Sequence, residues 1–236
     1  MRSMSKGTSI EPGRAAEVEN FVAEMRRLQP VPQGGRRARL IFALDATASR
    51  RPAWDRASRV QGEMFLEADR HGGLDVQLAF YRGFDECKAS RWVSSGKALV
   101  DLMARVDCRA GTTQIGRILR HAANEAGKKP VQALVFIGDC VEEPVDSLGN
   151  LAGELGMRGV RAFMFQEGGD AAAGFAFGEI ARLTGGAHCR FDAGSPGELR
   201  ALLGAVAAYA SGGLRELRRL SAGGVGAARM LEQRMG

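Results

Sequence analysis

The chain has 236 residues, 45% of them hydrophobic, and a formal net charge of +6. That is enough apolar material for one sizeable α/β domain with appendages and too little for two full domains. The positive excess is thin and gathers at "GGRRAR" and near the C-terminus, so it reads as a solvated basic surface and does not point to nucleic acid. No window approaches the roughly twenty apolar residues of a membrane span, and "MRSMSKGTSIEPGR" lacks an apolar leader core. Four cysteines without a CxxC pair fit a reducing compartment, and three histidines without zinc-ligand spacing argue against a zinc site. A cytoplasmic protein is expected, and the excess of arginine over lysine is what a GC-rich bacterial genome would yield.

Residues 1–37 read as an amphipathic helix and a linker. Val18, Phe21, Val22, Met25 and Leu28 share one helical stripe, and "QPVPQGG" breaks it. From residue 38 to 210 the pattern alternates. "RLIFAL" is a strand, "PAWDRASRVQGEMFLEADR" a helix, "LDVQLAFYRG" a strand, "ECKASRWV" a short strand and "SGKALVDLMARV" a helix. "TTQIGRILRHAANEAG" follows as a helix, "VQALVFIG" as a strand, "PVDSLGNLAGELGM" as a helix and "VRAFMFQE" as a strand. "AAGFAFGEIARLT" is a helix, "AHCRF" a strand, and a last helix starts near Pro196.

Continuous apolar strands between amphipathic helices predict a three-layer α/β/α sandwich around a mainly parallel, doubly wound sheet. "GFDE" is too short for a crossover, so the strands it joins form an antiparallel hairpin at a sheet edge. Residues 211–236 form a basic amphipathic tail with Leu214, Leu217 and Leu220 on one stripe. Such a tail docks on its own domain or, in a sharper reading, on an anionic surface or partner.

In doubly wound sheets ligands bind beyond the carboxyl ends of the strands. Three segments share that rim: Asp45, Thr47 and Ser49 after "LIFAL", Thr112 and Thr113 in "GTTQIG", and Asp139 after "ALVFIG". Asp45, Thr47, Ser49, Thr113 and Asp139 offer two carboxylates and three hydroxyls, a donor set suited to a hard dication such as Mg²⁺ or Mn²⁺. Two carboxylates only neutralise the ion, so it still accepts an anionic oxygen from outside.

Together these residues resemble the von Willebrand factor A domain and its metal-ion-dependent adhesion site, over roughly residues 39 to 210. That family carries a strand followed by D-x-S-x-S, a threonine in a G-G-T-x-x-G loop, and an aspartate ending another apolar strand. Here Thr47 stands for the first serine, Thr112 for a glycine and Cys140 for the small residue after the last aspartate. The resemblance implies that Asp45, Thr47, Ser49, Thr113 and Asp139 hold Mg²⁺ or Mn²⁺ and that an Asp or Glu of a protein partner completes the shell. It implies binding and not catalysis, with an AAA+ ATPase or a stress-related assembly as the kind of partner. Arg50, Arg51, Thr112 and Glu142 would form the partner-binding rim, the arginines steering an acidic partner and Glu142, with Glu143, opposing one.

Two other readings compete. "DATAS" and the distant "GDCVEE" superficially match a haloacid-dehalogenase-like phosphotransferase with Asp45 as nucleophile. Against it, Thr47 is a poor proton donor where that family keeps its general acid, and Pro52 opens a helix at once. The other is a degenerate scaffold of the same fold that binds no metal. Cys140 and Trp54 find no assigned role at this level.

Overall fold

The computed structural model describes residues 37–50, 73–191 and 196–235. The expected N-terminal helix, the helix with Trp54, and Arg51 lie outside the described residues. Those contain a six-stranded sheet of β1 (Ala38–Asp45), β2 (Leu74–Arg82), β3 (Glu86–Ala89), β4 (Ala133–Gly138), β5 (Arg161–Glu167) and β6 (Ala187–Phe191). The helices are α1 (Gly96–Met103), α2 (Ile115–Lys128), α3 (Val145–Met157), α4 (Ala171–Thr184), α5 (Pro196–Ala222) and α6 (Gly226–Met235), with a 3₁₀ turn at Ala48–Arg50.

The strand order is β3-β2-β1-β4-β5-β6, parallel throughout except for the β2–β3 hairpin. This is the mixed α/β sheet that the apolar strand pattern predicts. β1 carries it because its side chains are buried on both faces. Leu40, Phe42 and Leu44 enter one core layer, while Ile41 and Ala43 enter the other. A strand covered on both faces must be apolar throughout, and parallel pairing with β2 and β4 leaves it no edge.

The first layer is closed by α1, α5 and α6, through residues such as Leu99, Leu203, Val206 and Leu231. The second is closed by α2, α3 and α4, through Ile118, Leu119, Leu155 and Phe177. Local signals set the helix ends. The Ser95 hydroxyl accepts the Ala98 N–H at 3.2 Å to start α1, and the Asp170 carboxylate accepts the Ala173 N–H at 2.6 Å to start α4. Gly185, at φ 63°, ends α4 in the left-handed conformation.

Two segments differ in detail from the sequence pattern. The strand expected over "ECKASRWV" stops at Ala89, because the Ser90 hydroxyl takes the Leu78 N–H at 3.1 Å and interrupts the ladder. Val93 then makes an isolated antiparallel bridge to Val76. Residue 210, where the sequence pattern divides domain from tail, lies inside α5, which bends at Gly213 (φ 66°, ψ −162°). Beyond that bend Leu217, Ala228 and Leu231 are buried in the first core layer. Among the described residues no helix is long and apolar enough to cross a membrane.

Candidate functional site

β1 is flanked by β2 on one side and β4 on the other, so the winding of the sheet reverses between β1 and β4. At such a reversal, beyond the carboxyl ends of the two strands, doubly wound folds bind ligands. Asp45 is the last residue of β1, and Asp139 follows β4 directly. One oxygen of each carboxylate and the Cys140 sulfur all lie within 4.8 Å of one another.

Asp45 is almost fully buried, at 1% exposure, and both its oxygens are engaged. Oδ1 accepts the Thr47 N–H at 2.7 Å, and Oδ2 accepts the Tyr81 hydroxyl at 2.9 Å. Burial pushes the Asp45 carboxyl above its ordinary value, the Thr47 and Tyr81 hydrogen bonds pull it back, and the Asp139 charge adds a small push upward. Tyr81 is itself pushed well up, by burial first and then by the charge of Asp45, so it stays a hydroxyl donor. Tyr81 stands opposite Asp45 in the β1–β2 register, which is why this contact forms.

Asp139 differs from Asp45 in one respect. Its Oδ1 is buried with no hydrogen-bond partner among the described residues. A carboxylate oxygen in that position is an acceptor awaiting a donor or a cation. Beside it, the Cys140 thiol is pushed up to about 12, chiefly by burial and then by the charges of Asp139 and Asp45.

Thr47 and Ser49 follow Asp45 on the loop that leaves β1. Thr47 is buried and Ser49 exposed, with their hydroxyl oxygens 3.1 Å apart. The loop that carries them is held on both sides: Ala46 N–H donates to the Tyr81 carbonyl of β2 at 2.9 Å, and Arg109 N–H, from the loop before α2, to the Ala46 carbonyl at 3.0 Å. Arg50 closes the 3₁₀ turn that follows.

The loop before α2 is tied to the loop after β4. Thr113 and Glu142 bond reciprocally, the Thr113 N–H to Glu142 Oε2 at 2.8 Å and the Glu142 N–H to Thr113 Oγ1 at 2.9 Å. Thr113 is buried, and its hydroxyl oxygen keeps a second lone pair for another contact. Gln114 supplies no side-chain cap to α2. Glu143 does so from across the site, accepting the Ile115 N–H at 2.5 Å and the Gly116 N–H at 2.8 Å. These are two of the donors that a helix start leaves open, and a carboxylate there also meets the positive end of the helix dipole.

Glu142 and Glu143 are therefore loop clamps as well as rim charges. Neither role, nor that of Tyr81, is visible as a local motif. Thr112 is exposed and donates its N–H to the Gly83 carbonyl at 3.3 Å. Gly111 allows this approach, since a Cβ there would overlap the Gly83 carbonyl group.

No family profile and no curated protein sequence matches the chain. Solved structures do match. The SpRpn10 VWA domain superposes with a TM-score of 0.54 at 10% identity, over 70% of this chain and 95% of that one. Proximal thread matrix protein 1 from the mussel byssus gives 0.58 at 16% identity, over 72% of this chain and 46% of that one. The pilus adhesin SpaC from Lactobacillus rhamnosus GG gives 0.59 at 10% identity, over 75% of this chain and 30% of that one. The fold is VWA-like.

The matched part of the chain spans nearly all of the Rpn10 domain and less than half of each of the other two proteins. At these identities the likeness establishes the fold alone. Within that VWA-like fold, Asp45, Thr47, Ser49, Thr113 and Asp139 come from three separate segments to the carboxyl rim of β1 and β4.

Proposed function

We propose that this protein is a binding module that recognises an acidic group of a protein partner through a divalent cation at the β1–β4 crevice, and that it does so without catalysis. The observation that carries the reading is the buried Oδ1 of Asp139, without a hydrogen-bond partner among the described residues, on a carboxylate with an oxygen within 4.8 Å of one of Asp45. Two carboxylates brought this close without a compensating cation repel one another, and an orphaned acceptor raises the cost. All-oxygen donors and a hard dication match in chemistry.

Asp45 and Asp139 would hold Mg²⁺ or Mn²⁺ with the hydroxyls of Thr47, Ser49 and Thr113. When bound, the ion supplies a Lewis-acidic position that accepts a carboxylate oxygen from outside. The chain's own residues orient that position. Tyr81 and the Thr47 N–H hold the Asp45 carboxylate in place, and Glu142 fixes Thr113 through a reciprocal pair of hydrogen bonds. The VWA-like neighbours, an adhesin among them, support a binding role.

Thermal melts of wild type and Asp45→Ala in EDTA, Mg²⁺ and Mn²⁺ test the reading. At about a hundred times its Kd the ion stabilises the wild type by roughly 2.7 kcal/mol and leaves the variant unmoved. Equal responses of the two proteins refute the site. Turnover of a generic phosphate ester in Mg²⁺ that Asp45→Asn abolishes refutes the binding-only role and favours phosphoryl transfer.

A further inference from the structure

β3 is the edge strand of the sheet, and its outer side is open among the described residues. Its register shows which backbone groups face outward. The Ser90 N–H donates inward to the Leu78 carbonyl at 2.7 Å, and Phe80 stands opposite Lys88, Arg82 opposite Glu86. In an antiparallel pair the bonded positions alternate. The N–H and C=O groups of Glu86 and Lys88 and the N–H of Ser90 therefore point to β2, while the N–H and C=O groups of Asp85, Cys87 and Ala89 point away.

A cleft lies on each side of this open edge, and Cys87 lines both. The first, of about 400 Å³, runs between β3 and α2 and is lined by Cys87, Ala89, Arg117, Arg120, His121 and Asn124, with Asp85 and Lys88 at its margin. Arg117, Arg120, His121 and Asn124 are spaced i, i+3, i+4, i+7, one stripe of the helix. The second, of about 520 Å³, is lined by Phe84, Glu86, Cys87, Lys88 and Arg109. Phe84 is 71% exposed.

Arg117 Nη1 donates to the outward Asp85 carbonyl at 2.6 Å and to Gln114 Oε1 at 2.8 Å. It bridges helix and edge strand, and its Nε and Nη2 stay uncommitted among the described residues. Arg120 is exposed and makes no hydrogen bond or ion pair among them.

We infer that β3 is a docking edge for an extended acidic peptide segment of a partner, which adds as a strand beside β3 and sets alternate carboxylates against Arg117 and Arg120. A free edge with a cleft on each face is what an added strand requires, since its side chains alternate between the two faces. The charges choose the occupant. Lys88 is paired with Glu86 at 2.7 Å, which leaves Arg117 and Arg120 against Asp85 along the α2 cleft, so acidic side chains on that face are matched and basic ones opposed. Lys88 guards the short edge against uncharged strands. The inference does not depend on the metal site.

The probe is an acetylated octapeptide of alternating valine and glutamate, titrated by calorimetry into the full chain in EDTA at low salt. Its lysine counterpart and a copy N-methylated on alternate amides serve as controls. The glutamate peptide binds, and both controls fail. Arg120→Glu and Ala89→Pro each weaken binding about tenfold or more, the latter because proline removes one outward N–H without touching the β2 ladder. Both variants melt with wild type, since both positions are exposed at the edge or on the helix surface.

Equal binding of the N-methylated peptide, or full competition by free glutamate, overturns the added strand. Binding that needs Mg²⁺ or is lost in Asp45→Ala places the peptide at the crevice and overturns the edge site. Binding retained in Asp45→Ala and EDTA supports it, whatever the fate of the metal reading.

Discussion

Replacing Asp139 by asparagine separates the cost of the crevice from its use. Asp139 Oδ1 is a buried acceptor with no partner among the described residues, and an oxygen of its carboxylate lies within 4.8 Å of one of Asp45. An unsatisfied buried polar atom costs about 1–3 kcal/mol, and because the Asp139 side chain as a whole is only half-buried, the low end applies, about 1 kcal/mol. Asparagine removes the charge and brings N–H donors toward Asp45. For a chain of this length that gain raises Tm by about 2–4 °C.

The melts are run in EDTA and again in Mn²⁺. In EDTA Asp139→Asn melts above wild type. In saturating Mn²⁺ the order inverts, because only the wild type collects the binding energy of the ion. A variant that melts below wild type in EDTA shows that the carboxylate was already satisfied, and the reasoning from the orphaned oxygen fails.

Two further outcomes concern the scaffold. The half-buried His188 ring lies 3.0 Å from Gln166 Oε1, and burial, with help from Arg234 and Arg190, lowers its pKa from 6.5 to about 4. The unfolded chain therefore binds the proton first, so this stabilisation is complete above pH 6.5 and is lost as pH falls toward 4. His188→Gln flattens the urea midpoint between pH 7 and 5, and an unchanged slope refutes the assignment. The buried Glu125 accepts from Arg39 Nη2 and Trp92 Nε1, both at 2.9 Å, and from Lys128 Nζ at 2.7 Å. Glu125→Ala strands Arg39, which stacks 3.7 Å over Trp92, and costs about 3 kcal/mol in urea unfolding followed by tryptophan fluorescence. A loss under about 1 kcal/mol counts against a network role for Glu125.

The strands were legible because parallel pairing buries both faces of β1, β4 and β5 and leaves continuous apolar runs with no competing pattern. The convergence of Asp45 and Asp139 was legible for a related reason: a doubly wound order puts the ends of its first and fourth strands side by side. Tyr81 and Glu143 were not. Their contacts span 36 and 28 positions in the chain and depend on register and loop path, which no local spacing records. Ser90 illustrates the same limit on a shorter scale. Its hydroxyl can replace a ladder partner only once β2 lies beside it, so the pattern alone extends the strand too far.

The placement of α5 and α6 has a consequence for synthesis. With α1 they cover one face of a sheet whose central strand, β1, lies far upstream, and Tyr209 meets Phe163 edge-on at 5.4 Å. Until residues as late as Leu231 have left the ribosome, Leu40, Phe42, Val135 and Phe163 lack part of their cover. A chain emerging from its N-terminus thus carries a nearly finished sheet with one greasy side only partly covered, a species prone to capture by chaperones or by its own copies. Polypeptides arrested before α6 should be markedly more protease-sensitive than released ones.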